Sequence, residues 1–329
     1  MKGLTIEELI KRLYSDNVLL GWKDFNFPLY YYIKEAFLCY SDEISNIADD
    51  EFHINPDDVY FNGMFTKNRL SNLVNRIIEA HLKILQYCYK GDLFSASKLL
   101  YQLLLCQNSK LKQYLVEPYI NYLDSKVFTK EIFYRMRDED KDKLVDNCSH
   151  VPYNLRGSID SNRFSLQGLP CLYLANTKET ANKELRSMEE GKQRWVSEFA
   201  PTRDFALTDL RFKQVELQPN MSIYDAFKLL ITFPIRLLCS MKVKDEKARF
   251  HEEYYFPQLL SHLILVYLKE HPNEKLYCGT EGIMFDSTQN RTGYNIILPA
   301  SYSGLLPPKE GQSKIIRTLL SEQNVTRYR

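Results

Sequence analysis

No stretch of this 329-residue chain is both long and uninterruptedly apolar. The nearest approach, LLITFPIRLLC over Leu229–Cys239, is broken by Pro234 and Arg236. It falls well short of the roughly 20 apolar residues that a membrane-spanning helix needs. The opening MKGLTIEELI has no continuous apolar core of the kind a secretory signal carries, so a cytoplasmic location without membrane attachment is expected. Net charge is also nearly absent, at +1 with an isoelectric point of about 7.5. That balance gives no global attraction to nucleic acid or to an anionic membrane surface, although a local basic cleft remains compatible with it. The cysteines, Cys39, Cys88, Cys106, Cys148, Cys171, Cys239 and Cys278, are odd in number, widely spaced and never arranged as CxxC. A disulfide framework and a structural zinc site are therefore not expected. Six scattered histidines supply no metal-ligand set, and a metal-free reaction is the simpler expectation. Neither GxGxxG nor GxxxxGK[ST] follows a strand-like segment. Their absence disfavours a Rossmann dinucleotide domain and a P-loop domain.

What is present suits an ordered protein of two domains or one large one: 44% hydrophobic and 26% charged residues. Thr5 and Glu8 have the spacing of a capping box opening a helix over Ile6 through Leu13. A second helix is expected after Pro28, within an aromatic-rich stretch from Trp22 to Tyr40, and a loop is expected from Ser41 to Asp58. Leu70, Leu73, Val74, Ile77 and Ile78 then recur at helical spacing, Gly91 and Asp92 form a stop, and LFSASKLLYQLLLC resumes as helix. Arg76 and His81 within the third helix form RxxxxH, a pattern also found in HEPN-type ribonucleases. Five residues are about 500° of an ideal helix, so the two side chains do not stack directly. A structural or merely solvated role is the simpler expectation for both. From residue 123 onward FYR, CLYL, ALTDLRF, GIMF and NIILP read as strands, TKETANKELR as a strand-to-helix transition, and FPQLLSHLILVYLKE as helix. The expected class is α+β, with a helical domain over 1–122, a mixed domain over 123–315, and a tail or terminal helix over 316–329.

Chemistry-bearing residues concentrate between Phe133 and Arg186, where several arginines, a β-prone run and an acidic residue fall close together. Guanidinium groups lining a cleft hold phosphates, and a carboxylate beside them stabilises developing positive charge. The same residues also suit a half-buried sheet with a solvated basic rim. FYR at Phe133–Arg135, HVPYNLRG at His150–Gly157 and NRFSLQGLPCLYLA at Asn162–Ala175 occur in this order. They are followed by TxxTAxxEL-like spacing at Thr177–Leu185, EGIMFDS at Glu281–Ser287 and NIILP at Asn295–Pro299. In these pieces and their order the chain resembles the RES domain family, in its longer form with a HEPN-like helical amino-terminal domain.

That resemblance implies a compact mixed fold related to ADP-ribosyltransferases, and NAD as the substrate. It also implies a toxin or phage-defence role, with an antitoxin or other regulatory protein as a partner. It assigns Arg135, Glu184 and Ser287 as the eponymous set, with Arg163 and Tyr173 as further ligand contacts. Arg135 and Arg163 are expected to hold NAD phosphates, or to form ion pairs beneath the sheet. Tyr173 is expected to stack on nicotinamide, or simply to pack. Glu184 is expected to stabilise an oxocarbenium-like ribose. Ser287 is expected to orient the ribose or to stabilise a turn, and Asn295 to close a polar part of the site or a strand end. Arg137 and Arg156 are neighbours equally suited to the surface. LANTKETANKEL departs from the LGGSLYTCWEE-like form of some helical-domain relatives, which bears on the pocket rather than on Glu184. Water, inorganic phosphate and a protein side chain all remain open as acceptor. So do a non-catalytic toxin–antitoxin binding module, a ribonuclease based on Arg76 and His81, and homo-oligomerisation through the helical domain.

Overall fold

The computed structural model describes residues 4–14, 28–52, 66–107, 109–185, 188–212, 221–245, 248, 250–271, 279–302, 306 and 308–328. Trp22–Phe27, the Asp58 end of the expected loop, Arg186 and Cys278 lie outside them. The chain divides into two compact units, the first drawn from Met1–Leu123 and Phe212–Leu263, the second from Asp124–Arg211, Ile264–His271 and Gly279–Arg329.

The first unit is helical. Helix α1 (Ile6–Tyr14) opens on the expected capping box: the Thr5 amide donates to Glu8 Oε2 at 2.9 Å, and the Glu8 amide to Thr5 Oγ1 at 3.1 Å. Helix α2 (Leu29–Ser45) starts directly after Pro28, whose fixed φ suits the position before a first turn. It continues through Ser41–Ser45, part of the stretch expected as a loop. Helix α3 (Lys67–Tyr89) buries Leu70, Leu73, Val74, Ile77 and Ile78 along one stripe. It ends before Gly91, whose φ of +73° reverses the chain at little steric cost. Asp92 then caps α4 (Leu93–Leu104) by accepting from the Ser95 amide at 3.0 Å, and a short α5 (Ser109–Lys112) follows.

The second unit is built on one eight-stranded sheet. Its strands are β1 (Ser125–Phe128), β2 (Phe133–Asp140), β3 (Cys171–Ala175), β4 (Lys192–Pro201), β5 (Phe205–Asp209), β6 (Gly282–Asp286), β7 (Tyr294–Pro299) and β8 (Leu320–Arg327), in the spatial order β1-β5-β6-β7-β3-β2-β4-β8. Neighbours run antiparallel except β5 and β6. Helix α6 (Lys178–Glu184) follows β3 and packs Ala181 beside Met136, Ala175 and Val196. The larger core cluster gathers Phe133, Leu172, Leu174, Phe199, Leu207, Met284, Ile296 and Leu298. With a helical first unit and this mixed sheet, the chain is of the α+β class.

Two segments fall elsewhere than their place in the chain suggested. Helix α7 (Ile223–Ser240), which contains the LLITFPIRLLC run, belongs to the first unit, as does α8 (Tyr255–His262). A π-helical turn, Leu263–Tyr267, precedes the short α9 (Leu268–Glu270). The segment expected as a tail or terminal helix is instead the end of α10 (Lys314–Leu319) followed by β8, an edge strand on β4. Its sequence, LSEQNVTR, lacks apolar alternation because an edge strand in this position buries little beyond Leu320.

Candidate functional site

Glu184 is the last residue of α6, and its position is set from both ends of that helix. Thr177 caps the N-terminus, its Oγ1 accepting from the Thr180 amide at 3.1 Å. Thr180 Oγ1 in turn accepts from Asn290 Nδ2 at 2.8 Å, in the turn that joins β6 to β7. The close approach depends on Gly293: a Cβ there would lie 2.1 Å from Thr180 Oγ1. This turn also presents Ser287, whose Oγ accepts from the Asn290 amide at 2.8 Å and donates to Glu184 Oε1 at 2.5 Å. Asn295, on β7, donates from Nδ2 to the same carboxylate oxygen at 2.7 Å. Ser287 and Asn295 are buried, whereas Glu184 is exposed. The carboxylate therefore stands at the surface with one oxygen anchored by two buried donors. Its second oxygen has no hydrogen-bond partner among the described residues.

Strand register carries the site across the sheet. Asn295 pairs with Ala175 on β3, and Ala175 pairs with Tyr134 on β2. Tyr173, two residues before Ala175, lies on the same face as Asn295 because side chains alternate along a strand. Its hydroxyl is held by Ser165 Oγ at 2.9 Å and by the Phe164 amide at 3.4 Å. Both belong to the narrow turn closed by Asn162 and Ser165, and Phe164 packs on Phe285 with ring centroids 4.6 Å apart. Arg163, in the same turn, is buried.

Arg135 follows Tyr134, at the seam where β2 and β3 pair through a single residue on each strand. Strand alternation starts its side chain from the face opposite Asn295, and the guanidinium turns into the seam to donate to the Tyr173 carbonyl at 3.3 Å. Among the described residues Arg135 makes no ion pair. Burial lowers its pKa, the neighbouring Arg137 adds to that, and Cys148, Glu322 and Tyr173 oppose it. A guanidinium with spare donors in a partly dry seam is suited to an anion. No hydrogen bond or ion pair joins Arg135 to Glu184. The structure thus links Glu184, Ser287 and Asn295 directly, and relates Arg135 and Tyr173 to them through two adjacent strand pairings.

Arg137 instead pairs with Glu139 at 2.6 Å, and Arg156 is exposed. His150 has both ring nitrogens committed, Nδ1 to the Val151 carbonyl at 2.7 Å and Nε2 to the Ser313 amide at 2.8 Å. Burial lowers its pKa, and with both ring nitrogens committed it serves as a strut rather than a base. Burial pushes the Cys171 thiol up to about 12, which leaves no thiolate there. In the first unit, His81 is fully buried among Phe37, Tyr119 and Phe256, and burial lowers its pKa to about 4. Arg76 lies over the Tyr114 ring, 5.5 Å from its centroid. An acid–base histidine must reach the proton it moves. His81, with no exposed surface, is not placed for that work.

Several contributors escaped the sequence reading. Asn290 and Thr180 brace Ser287 and α6; Thr180 lies within the TxxTAxxEL-like spacing without having been given a role, and nothing in the local sequence of Asn290 marks it. Glu322 of β8 accepts from Ser197 Oγ at 2.6 Å and from the Cys148 amide, and Ser197 is the cross-strand partner of Arg135. The polar-rich tail held that carboxylate without any periodic signal. Among the described residues no three His, Cys, Asp or Glu side chains converge as a metal site, and no helix is long and apolar enough to cross a membrane.

No family model matches this chain, and no solved structure matches it significantly. Among curated proteins it is similar to one from Bacillus subtilis (strain 168) described as "Putative toxin YopC". The two are 31% identical over 140 residues, which cover 39% of this chain and 31% of that protein's length.

Proposed function

We propose that this protein binds NAD and cleaves its nicotinamide–ribose bond, passing ADP-ribose to water or inorganic phosphate, and that it acts as a toxin. The observation that carries this reading is the exposed Glu184 carboxylate, held at one oxygen by buried Ser287 and Asn295 and open at the other. The resemblance to the RES family supports NAD as the substrate class, and the likeness to a protein described as a putative toxin supports the toxin role.

In this mechanism Arg135 and Arg163 take the diphosphate, and Tyr173 orients the nicotinamide. The bond from C1′ of ribose to the pyridinium nitrogen breaks, and its electron pair leaves with neutral nicotinamide. Positive character at C1′ faces the open Glu184 oxygen, and Ser287 and Asn295 keep the carboxylate from rotating away. A water oxygen then bonds to C1′ and releases a proton, giving ADP-ribose. A phosphate oxygen in its place gives ADP-ribose phosphorylated at the anomeric position. Glu184 forms no covalent bond. Preorganised charge aimed at the transition state is the main source of rate.

Mass spectrometry of NAD incubations distinguishes the acceptors. Phosphate buffer, phosphate-free buffer and a mixed cell-protein acceptor should each release nicotinamide if the bond is cleaved. ADP-ribose alone identifies water, a phosphorylated ADP-ribose identifies phosphate, and mass added to proteins identifies transferase chemistry. Intact NAD in all arms with folded protein would overturn the proposal. A non-catalytic binding module would then be favoured.

A further inference from the structure

We propose that Arg194 is a positioning residue for Glu184, acting through Asn182 at the carboxyl end of α6; this rests on the function proposed above. Helix α6 is seven residues long. Helices of that length do not persist on their own propensity, and their last carbonyls have no partner within the helix. At its amino end the Thr177 cap and the Asn290–Thr180 bond hold α6. At its carboxyl end, Arg194 of β4 donates from Nη1 to Asn182 Oδ1 at 2.7 Å and, more weakly, to the Asn182 carbonyl at 3.4 Å.

Arg194 is itself fixed before it meets the helix. Its Nε and Nη2 grip the two oxygens of Asp138, each at 2.7 Å, and the two residues are cross-strand partners on β2 and β4. The Arg194 side chain is buried, and the Asp138 side chain beside it is 24% exposed. One edge of the planar guanidinium is thereby locked to the sheet, and the remaining nitrogen reaches the helix. A lysine ammonium cannot serve both roles with fixed geometry. Asn182 is two residues before Glu184, so the bond sets the rotation and axial position of the turn that carries the carboxylate. Its cation also lies where the negative end of the helix dipole favours it.

The test compares Arg194→Met, Arg194→Lys, Asn182→Ala and the Arg194→Met/Asn182→Ala double variant, with wild type and Glu184→Gln alongside. NAD turnover, NAD dissociation constants and amide hydrogen exchange over 178–185 are measured for each. A misplacement of about 1 Å at a reacting group costs on the order of 100-fold in rate. We expect kcat to fall by that order in Arg194→Met and in Asn182→Ala, with the NAD dissociation constant within about twofold of wild type. Exchange over 178–185 should accelerate, and the double variant should lose no more than either single one. Arg194→Lys should recover little.

Losses that multiply in the double variant, or an NAD affinity that falls in step with kcat, would overturn the positioning role. So would wild-type turnover in a folded Arg194→Met protein. If Arg194→Met fails to fold, Asn182→Ala carries the test alone, and wild-type turnover in it has the same meaning. A wild-type protein that leaves NAD intact, or a Glu184→Gln variant as active as wild type, would instead remove the underlying function and this inference with it.

Discussion

Two residues show how environment decides between chemically similar possibilities. Arg135 and Arg137 are two positions apart on β2, yet Arg137 has a carboxylate partner and Arg135 has only a backbone carbonyl. The account therefore assigns anion binding to Arg135. Replacing it with alanine should weaken NAD binding by about 10- to 100-fold, as expected when a charged hydrogen-bonding group of roughly 1.5–3 kcal/mol is lost. The same change at Arg137 should alter it little, and titration calorimetry with NAD measures both. His81 makes a different prediction. Its folded pKa is about 4 against an ordinary 6.5, so between those values the unfolded chain holds a proton that the folded chain does not. Stability is then present above 6.5 and lost as pH falls towards 4, by about 2–3 kcal/mol at pH 4.5. Urea unfolding should show the advantage of wild type over His81→Gln shrinking by that amount between pH 7 and pH 4.5; an unchanged difference would refute it. Glu184, Ser287 and Asn295 could be singled out in the sequence because each sits in a short linear piece of the resemblance. Their hydrogen bonding to one another was not, since it depends on a turn folding back over more than one hundred positions.

At the level of elements, α7 shows how an internal proline is accommodated. Pro234 offers no N–H to the Leu230 carbonyl, and the Tyr40 hydroxyl donates to it instead at 2.5 Å. The carbonyls on either side, of Leu229 and Ile231, receive the Tyr14 and Tyr119 hydroxyls, each at 2.7 Å. Burial raises the pKa of Tyr40 and Tyr119, so both remain neutral donors. Tyr40→Phe should leave a buried carbonyl without its donor and cost about 1–3 kcal/mol in chemical denaturation, with the helical content of the native state retained. A change within about 0.3 kcal/mol would contradict this satisfaction of the broken helix. The helices α1 to α4 were legible because capping residues and apolar spacing agree locally. The role of α7 was not, since its apolar run is buried nearly all round and carries no face to read. The aromatic stretch ending at Tyr40 announced packing area, but not that the Tyr40 hydroxyl would meet one helix together with those of Tyr14 and Tyr119.

For the molecule as a whole, chain order was an imperfect guide to spatial grouping. The expected division near 122 meets a division between Leu123 and Asp124, but Phe212–Leu263 returns to the first unit. Nothing local marks that return, because helices α7 and α8 bear no sign of which core they join. The strands of the second unit were mostly visible as short β-prone runs. Their spatial order was not, because only long-range pairing sets it: β3 lies between β2 and β7, and β8 closes on β4. It is this order that puts β2 two strand pairings from Asn295, which holds the Glu184 carboxylate, and the proposed NAD chemistry depends on it. The most direct measurement is NAD turnover and NAD affinity of wild type and Glu184→Gln side by side. The account predicts that wild type releases nicotinamide, and that the variant binds NAD within about twofold of wild type while its kcat falls by at least about 100-fold. Equal turnover in the two folded proteins, or NAD left intact by wild type, would contradict it.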